Sequence, residues 1–152
     1  MNSAVIMSFV RFFLLLAAQI IIFNNIDLFG YINPFPYILF IILFPVNGNK
    51  QLLIITSFLL GITMDLFSNS GGVHAASCLT LAYARPYIFK FSFGLSYEYQ
   101  TIRIADKLSV DRFTFIMSAI VFHHLILFSL ELYRIDLFFE ILILKLFEFK
   151  KI

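Results

Sequence analysis

Long uncharged stretches are the feature that most constrains how this chain can fold. Residues 28–49, 66–84 and 113–130 contain no Asp, Glu, Lys or Arg. Of the 152 residues, 61% are hydrophobic and 13% are charged, whereas soluble domains are about 25% charged. A soluble domain of this size could not cover so much apolar surface. The composition therefore predicts an all-α integral membrane protein, and it excludes a disordered chain and an ordinary water-soluble enzyme.

The uncharged stretches predict a single domain of about six transmembrane helices, because a helix needs roughly 17–25 apolar residues to cross a bilayer. The longest polar stretch, 92–112, is predicted to be a loop. Asn33 and Pro34 are suited to begin the second span, Asp111 is suited to cap the fifth, and Pro86 should kink or end the fourth. The predicted spans lie near residues 5–23, 34–46, 51–67, 73–91, 113–130 and 137–149.

Two of these spans are expected to be unusual. Residues 34–46 would reach only about 20 Å as a helix, less than the ~30 Å thickness of the hydrocarbon core. This span is therefore either packed among other helices or partly re-entrant. The segment 137–149 contains three charged residues, so it is either a sixth crossing or an amphipathic helix on the membrane surface. The charged residues before it predict a solvated turn at 131–136.

The distribution of Lys and Arg predicts the orientation. With six spans, ten of the 11 basic residues fall on one side of the membrane and only Arg134 falls on the other. With five spans, the division is seven against four. Because basic residues are enriched in cytoplasmic loops, this bias favours six spans with both termini in the cytoplasm.

Asp65 is the first candidate for a functional residue, because ionisable groups inside spans are costly and usually face the bundle interior or water. One interpretation is a binding site for a partner or ligand. The other, which we favour, is a carboxylate that caps the 68–72 turn or the start of the fourth span. Ser57 and Gly61, four residues apart, predict close packing of neighbouring helices.

The three histidines, His74, His123 and His124, are predicted to form hydrogen bonds with backbone groups or with Gln19 across helices. A metal site needs three or four converging ligands, and the sequence has no metal-ligand spacing. It also has no nucleophile elbow, P-loop or zinc-protease motif. We therefore expect neither a cofactor nor an enzymatic activity.

The middle of the chain resembles a known family. The stretch 23–34 reads FNNIDLFGYINP, Pro45 ends the second span, and residues 61–76 contain GxxxDLFS followed by GGVHAA. The tetrapeptide Ala84-Arg85-Pro86-Tyr87 follows. Together these residues resemble the MreD family, the rod shape-determining membrane proteins of bacteria, and look most similar to its Bacteroidetes branch. The resemblance covers roughly residues 15–130.

This resemblance implies a multi-pass protein of the bacterial inner membrane, distantly similar in fold to the S components of energy-coupling-factor transporters. It implies a non-catalytic scaffold of the elongation machinery, which helps to maintain cell shape. Such a scaffold couples MreC and the MreB filament to lateral peptidoglycan synthesis by RodA and its penicillin-binding transpeptidase. Family members usually end in a clear apolar span, from which the charged segment 137–149 departs. The motif positions that carry over are Asn24, Pro34, Pro45, Gly61, Asp65, Gly72, Ala75 and Arg85.

Two further expectations follow. If the chain is a scaffold, Arg103, Lys107 and Arg112 in the predicted cytoplasmic loop offer a docking surface for a partner.

The alternative function is a substrate-binding membrane component of a small-molecule, vitamin-type transporter. That function requires a pocket between the helices, for which Gln19, Asn24 and Asp65 are the candidate lining residues. A lipid-handling enzyme is a third possibility, without motif support.

Overall fold

The computed structural model describes residues 3–26, 34–94 and 109–148, with side chains described up to Tyr133 except that of Ala4. Most of these residues are helical, and there is no strand among them. A 3-10 turn, Phe23–Asn25, follows the first helix. The helices are α1 (Ser3–Ile21), α2 (Ile38–Ile42), α3 (Lys50–Ser68), α4 (Val73–Phe93) and α5 (Val110–Glu148).

Three segments of the described chain are long and apolar enough to cross a membrane: Val5–Asn25, Lys50–Ser68 and Val110–Tyr133. They coincide with the first, third and fifth predicted spans. The fourth predicted span is also a helix, α4, of 21 residues. It contains His74, Arg85 and Lys90 and is less apolar than the other three long helices.

The second predicted span is wrong as a helix over 34–46, because α2 contains only five residues, Ile38–Ile42. Pro34 lies outside the helix rather than at its first position. Pro45 limits the other end, since a residue before proline avoids the helical conformation and proline has no N–H to donate. Four of the five α2 residues are nonetheless buried, which agrees with a short segment packed among other helices.

Two hydrogen bonds show how this short segment runs. Gln19, near the end of α1, donates to the carbonyl of Pro34 at 3.3 Å. Arg11, about two turns earlier in the same helix, donates to the carbonyl of Leu43 at 3.1 Å. Residues 34–43 therefore run antiparallel to α1 and return the chain to the end where α1 begins. We call this the first end of the bundle, and the end that contains the α3–α4 turn the second end.

Helices α3 and α4 form an antiparallel hairpin with well-defined caps. The Asn49 side chain accepts hydrogen bonds from the backbone N–H groups of Gln51 and Leu52 at the start of α3. Asn69 ends α3 in the left-handed conformation, with φ 51°, and Gly72 precedes α4 with φ 100°. α4 packs extensively against both α3 and α5, so it is the central helix of the bundle.

Pro86 does not end α4, which continues to Phe93. The proline removes one backbone hydrogen bond, to the carbonyl of Ala82, but packing on both sides holds the helix. The prediction that this residue could terminate the span is therefore wrong.

Helix α5 runs without interruption through the predicted turn at 131–136 and through most of the predicted sixth span, 137–149. Charged residues disfavour hydrocarbon but do not break a helix, and there is no Gly or Pro between residues 110 and 148. Its 39 residues are about 58 Å long, nearly twice the bilayer core. The predicted cap is also displaced, because the hydroxyl of Ser109, rather than Asp111, accepts from the N–H of Arg112.

Candidate functional site

The carboxylate of Asp65 joins the end of α3 to the start of α4. One carboxylate oxygen accepts from the backbone N–H of His74 at 2.9 Å and from the Ser70 hydroxyl. The other accepts from the N–H of Ala75 at 2.8 Å. The first N–H groups of a helix lack partners within the helix, and a negative charge there is favourable. Asp65 thus caps α4, as the favoured sequence interpretation expects.

Gly61 permits the close approach that this cap requires. A Cβ atom at Gly61 would lie 2.4 Å from Cα of Ala75 and 2.7 Å from the backbone nitrogen of Ala75. These neighbours are backbone atoms, which cannot move aside as a flexible side chain can. Gly61 and Asp65 lie four residues apart on one face of α3, so the first places the α4 backbone against α3 and the second holds its first turn.

A second group of polar side chains lies buried among α2, α4 and α5. The Tyr37 hydroxyl is 2.7 Å from Nδ1 of His74 and 3.4 Å from Nε2 of His123. Cys78 Sγ lies 4.0 Å from the same His123 nitrogen. One consistent arrangement has Tyr37 donate to His74 and accept from His123. We call Tyr37, His74, Cys78 and His123 the buried polar cluster.

The buried polar cluster continues to the Asp65 cap, because His74 supplies its ring to the cluster and its backbone N–H to Asp65. Nδ1 of His123 has no hydrogen-bond partner within the described ranges. No group of three or more His, Cys, Asp or Glu side chains in these ranges is arranged to hold a metal ion. The hydrogen bonds of the cluster link α4 and α5 to Tyr37, the residue immediately before α2.

His124 lies outside this cluster. Its Nδ1 is 2.8 Å from the carbonyl of Ile120, one turn earlier in the same helix, so this contact is not the hydrogen bond across helices that the sequence predicts. The predicted bond to Gln19 is not formed by the described histidines. The Gln19 amide instead donates to the side chain of Asn24 at 3.1 Å and to the Pro34 carbonyl.

Two arginines hold the carboxyl end of α2. Arg11 donates to the carbonyl of Leu43, and Arg85 donates to the carbonyls of Ile42 and Phe44. The last carbonyls of a helix have no partner within it, and in a bilayer no water replaces them. The arginines therefore satisfy the backbone where Pro45 prevents the helix from continuing.

The remaining predicted residues serve different parts of the fold. Asn24 lies in the 3-10 turn and accepts from Gln19. Gly72 provides the left-handed residue before α4.

The predicted loop 92–112 is too long at both ends, because α4 continues to Phe93 and α5 begins at Val110. Arg112 is therefore half-buried in the first turn of α5 rather than in a loop, and the other two predicted docking residues, Arg103 and Lys107, lie outside the described residues.

The described chain contains two notable cavities, both at the first end. A groove of about 570 Å³ lies between α1 and the start of α3 and is lined mainly by apolar side chains. A smaller cavity of about 200 Å³ lies between the 44–50 turn and α4. Neither of these two cavities is lined by Gln19, Asn24 or Asp65, the residues that the transporter alternative names.

Sequence reasoning missed the role of Tyr37. It also missed that Arg11 and Arg85 both donate hydrogen bonds to carbonyls at the carboxyl end of α2. One signal for Tyr37 was present, because it is the one residue of the Pro36–Phe44 run with a polar side-chain group, and a buried hydroxyl requires a partner. The contacts themselves join residues 32 to 86 positions apart, and no local pattern specifies them.

In comparisons with known proteins, the chain matches no family model, no curated protein and no solved structure. The resemblance to the MreD family is therefore carried by the motif residues alone.

Proposed function

We propose that this chain is a non-catalytic scaffold of the bacterial cell-elongation machinery, similar to MreD. It would lie in the inner membrane as a multi-pass protein with cytoplasmic termini. There it would bind MreC, and through MreC or directly it would associate with MreB, RodA and the penicillin-binding transpeptidase. Its role would be to help maintain cell shape by keeping lateral peptidoglycan synthesis coupled to the filament.

The observation that carries this proposal is the use of the motif residues in the α3–α4 hairpin. Gly61, Asp65, Gly72 and Ala75 all serve packing or capping, and both oxygens of the Asp65 carboxylate are occupied by protein donors. Residues used in this way define a rigid shape, which is what a scaffold presents to its partners.

The outer faces of the bundle also suit a partner within the membrane. Phe13 on α1, Leu66 on α3 and Leu125 on α5 are 64%, 78% and 61% exposed. Such side chains can contact either lipid or the helix of another membrane protein. Three basic residues lie at the first end. Arg11 and Arg85 lie beside the 42–44 carbonyls, and Lys50 lies at the start of α3. This arrangement supports the predicted orientation, in which that end is cytoplasmic.

Photo-crosslinking in native membranes tests the proposal. A crosslinking amino acid is placed in turn at Phe13, Leu66 and Leu125, with the buried Ala82 as the control position. We expect MreC or the synthase pair to be captured from at least one exposed position and not from Ala82. Capture of an energising transporter module, or retention of a small molecule without any captured protein, would instead favour the transporter alternative.

A charge-reversal variant tests the docking surface separately. Arg103, Lys107 and Arg112 are changed together to Glu, and a matched variant changes Lys145, Lys150 and Lys151 to Glu, with the same change in net charge. We expect the first variant to lose most of the partner protein that co-purifies with it, while the second retains it. Equal recovery from both, at equal expression, would exclude this loop as the docking surface.

A further inference from the structure

The smaller cavity at the first end has a basic lining. It lies between the 44–50 turn, α3 and α4, and both Lys50 and Arg85 line it. None of the residues that line it is acidic. The Lys50 ammonium lies 5.5 Å from the ring centre of Tyr83, and neither basic residue has an acidic neighbour in the lining of this cavity of about 200 Å³. An anion in the cavity would therefore meet positive charge without a competing carboxylate.

Arg85 has hydrogen-bonding capacity that its protein contacts do not use. Its side chain is only 6% exposed, and it donates to two backbone carbonyls. Its Nε, however, has no hydrogen-bond partner among the described residues. The guanidinium also lies 4.8 Å from the ring centre of Phe89. A buried guanidinium is costly unless its charge and its donors are satisfied, and an anion in the adjoining cavity would balance the charge that neutral carbonyls and a ring leave uncompensated.

An apolar groove adjoins this cavity. The groove of about 570 Å³ lies between α1 and α3, and Phe44 and Gly48 line both spaces. Phe9, Phe12, Phe13 and Phe40 supply much of its surface. A molecule that fills both spaces therefore needs an anionic group at one end and a hydrocarbon chain at the other.

We propose that the smaller cavity binds the phosphate of an anionic phospholipid, with one acyl chain of that lipid in the adjoining groove. Arginine and lysine are the side chains that most often bind phosphate, the first through directed N–H donors and the second as a point charge. Anionic lipids are concentrated beside basic residues at the cytoplasmic face of membranes. The site uses none of the hairpin residues 61, 65, 72 or 75 that carry the scaffold proposal, although it does use the motif residue Arg85.

Lipid retention by the purified full chain tests this site. The probes are phosphatidylglycerol, diacylglycerol with the same acyl chains, and inorganic phosphate, measured by native mass spectrometry and by the melting temperature in detergent. Lys50→Gln removes one cation from the cavity lining. Lys90→Gln is the matched control, because Lys90 is an exposed lysine near the carboxyl end of α4 that does not line the cavity.

We expect phosphatidylglycerol to bind the wild-type chain and Lys90→Gln equally, and to bind Lys50→Gln about tenfold more weakly, as loss of one charged hydrogen bond predicts. Equal binding to Lys50→Gln and wild type would overturn the proposal. Equal retention of diacylglycerol would show that the phosphate is not recognised. Stabilisation by inorganic phosphate equal to that by the lipid would show that the site takes a free anion instead.

Discussion

The peripheral helix α1 and the central helix α4 differ in a way that water-soluble bundles do not. α1 contains the most apolar window of the described chain, with a mean hydropathy of 2.4, yet only 6% of that window is buried. α4 is not among the three helices apolar enough to cross a membrane, yet nine of its 21 residues are buried. The most apolar helix is thus the most exposed.

The buried residues repeat this contrast in detail. The single buried side chain among those described in α1 is the polar Gln19, while α4 buries His74, Ser77 and Arg85. In water this distribution would be unfavourable. In a bilayer it is expected, because lipid tails solvate the apolar faces and polar groups must find partners inside the protein. Hydropathy in this chain therefore goes with exposure rather than with burial in a core, which is the pattern expected of helices that face lipid.

The same substitution in the two helices gives the largest predicted difference. Leu81 in α4 is 1% exposed and Leu14 in α1 is 62% exposed. Leu81→Ala leaves a cavity that neighbours fill only in part, and it should cost about 3 kcal/mol of unfolding free energy. Leu14→Ala should cost less than about 0.5 kcal/mol. Unfolding in mixed micelles, followed by circular dichroism, measures both, and similar losses would contradict the contrast.

Removal of the α4 cap should come next. Asp65→Ala leaves the N–H groups of His74 and Ala75 without their acceptor and should destabilise the chain by about 2–3 kcal/mol. Asp111→Ala, which removes an exposed acidic residue from the first turn of α5, serves as the control and should cost about 0.5 kcal/mol. If the two losses are alike, the carboxylate of Asp65 has no special part in joining the helices.

A pair of substitutions one turn apart on α3 sharpens the account of the hairpin. Gly61→Ala forces a methyl group against the Ala75 backbone and should cost about 1–3 kcal/mol. Ser57→Ala removes a buried hydroxyl that has no partner within the described ranges, so it should be neutral or slightly stabilising. A motif of interchangeable small residues predicts equal effects instead, and the same unfolding measurement separates the two views.

The smallest expected effect concerns the buried polar cluster. Tyr37→Phe keeps the ring but removes the hydroxyl between His74 and His123, and should cost about 1 kcal/mol. In the His123→Phe background the same change should cost less, because part of its effect acts through that histidine. A double-mutant cycle measures this coupling, and strict additivity would show that the Tyr37–His123 contact contributes nothing.

The sequence was most informative where a local signal marks a boundary. The charged Lys50 precedes the predicted third span, 51–67, and the 68–72 turn follows it, so the hairpin and the Asp65 cap could be predicted. The turn at 131–136 was wrongly predicted because charge was taken as a boundary signal, whereas Gly, Pro and capping residues are the signals that usually mark the end of a helix. The contacts of Arg11 and Arg85 depend on the path of residues 34–43, which follows tertiary packing rather than any periodic pattern.

The accessibility of spin labels in a bilayer tests the central claim most directly. In a Cys78→Ser background, one cysteine at a time is introduced and labelled at Leu14 on α1, Leu59 on α3 or Leu125 on α5. These side chains are 62%, 51% and 61% exposed. Each labelled protein is then reconstituted into vesicles. We predict that all three labels collide with oxygen, which dissolves in hydrocarbon, and not with a water-soluble nickel complex. Labels at these positions that collide with the nickel complex would show that the apolar faces meet water, and would contradict a membrane-embedded bundle.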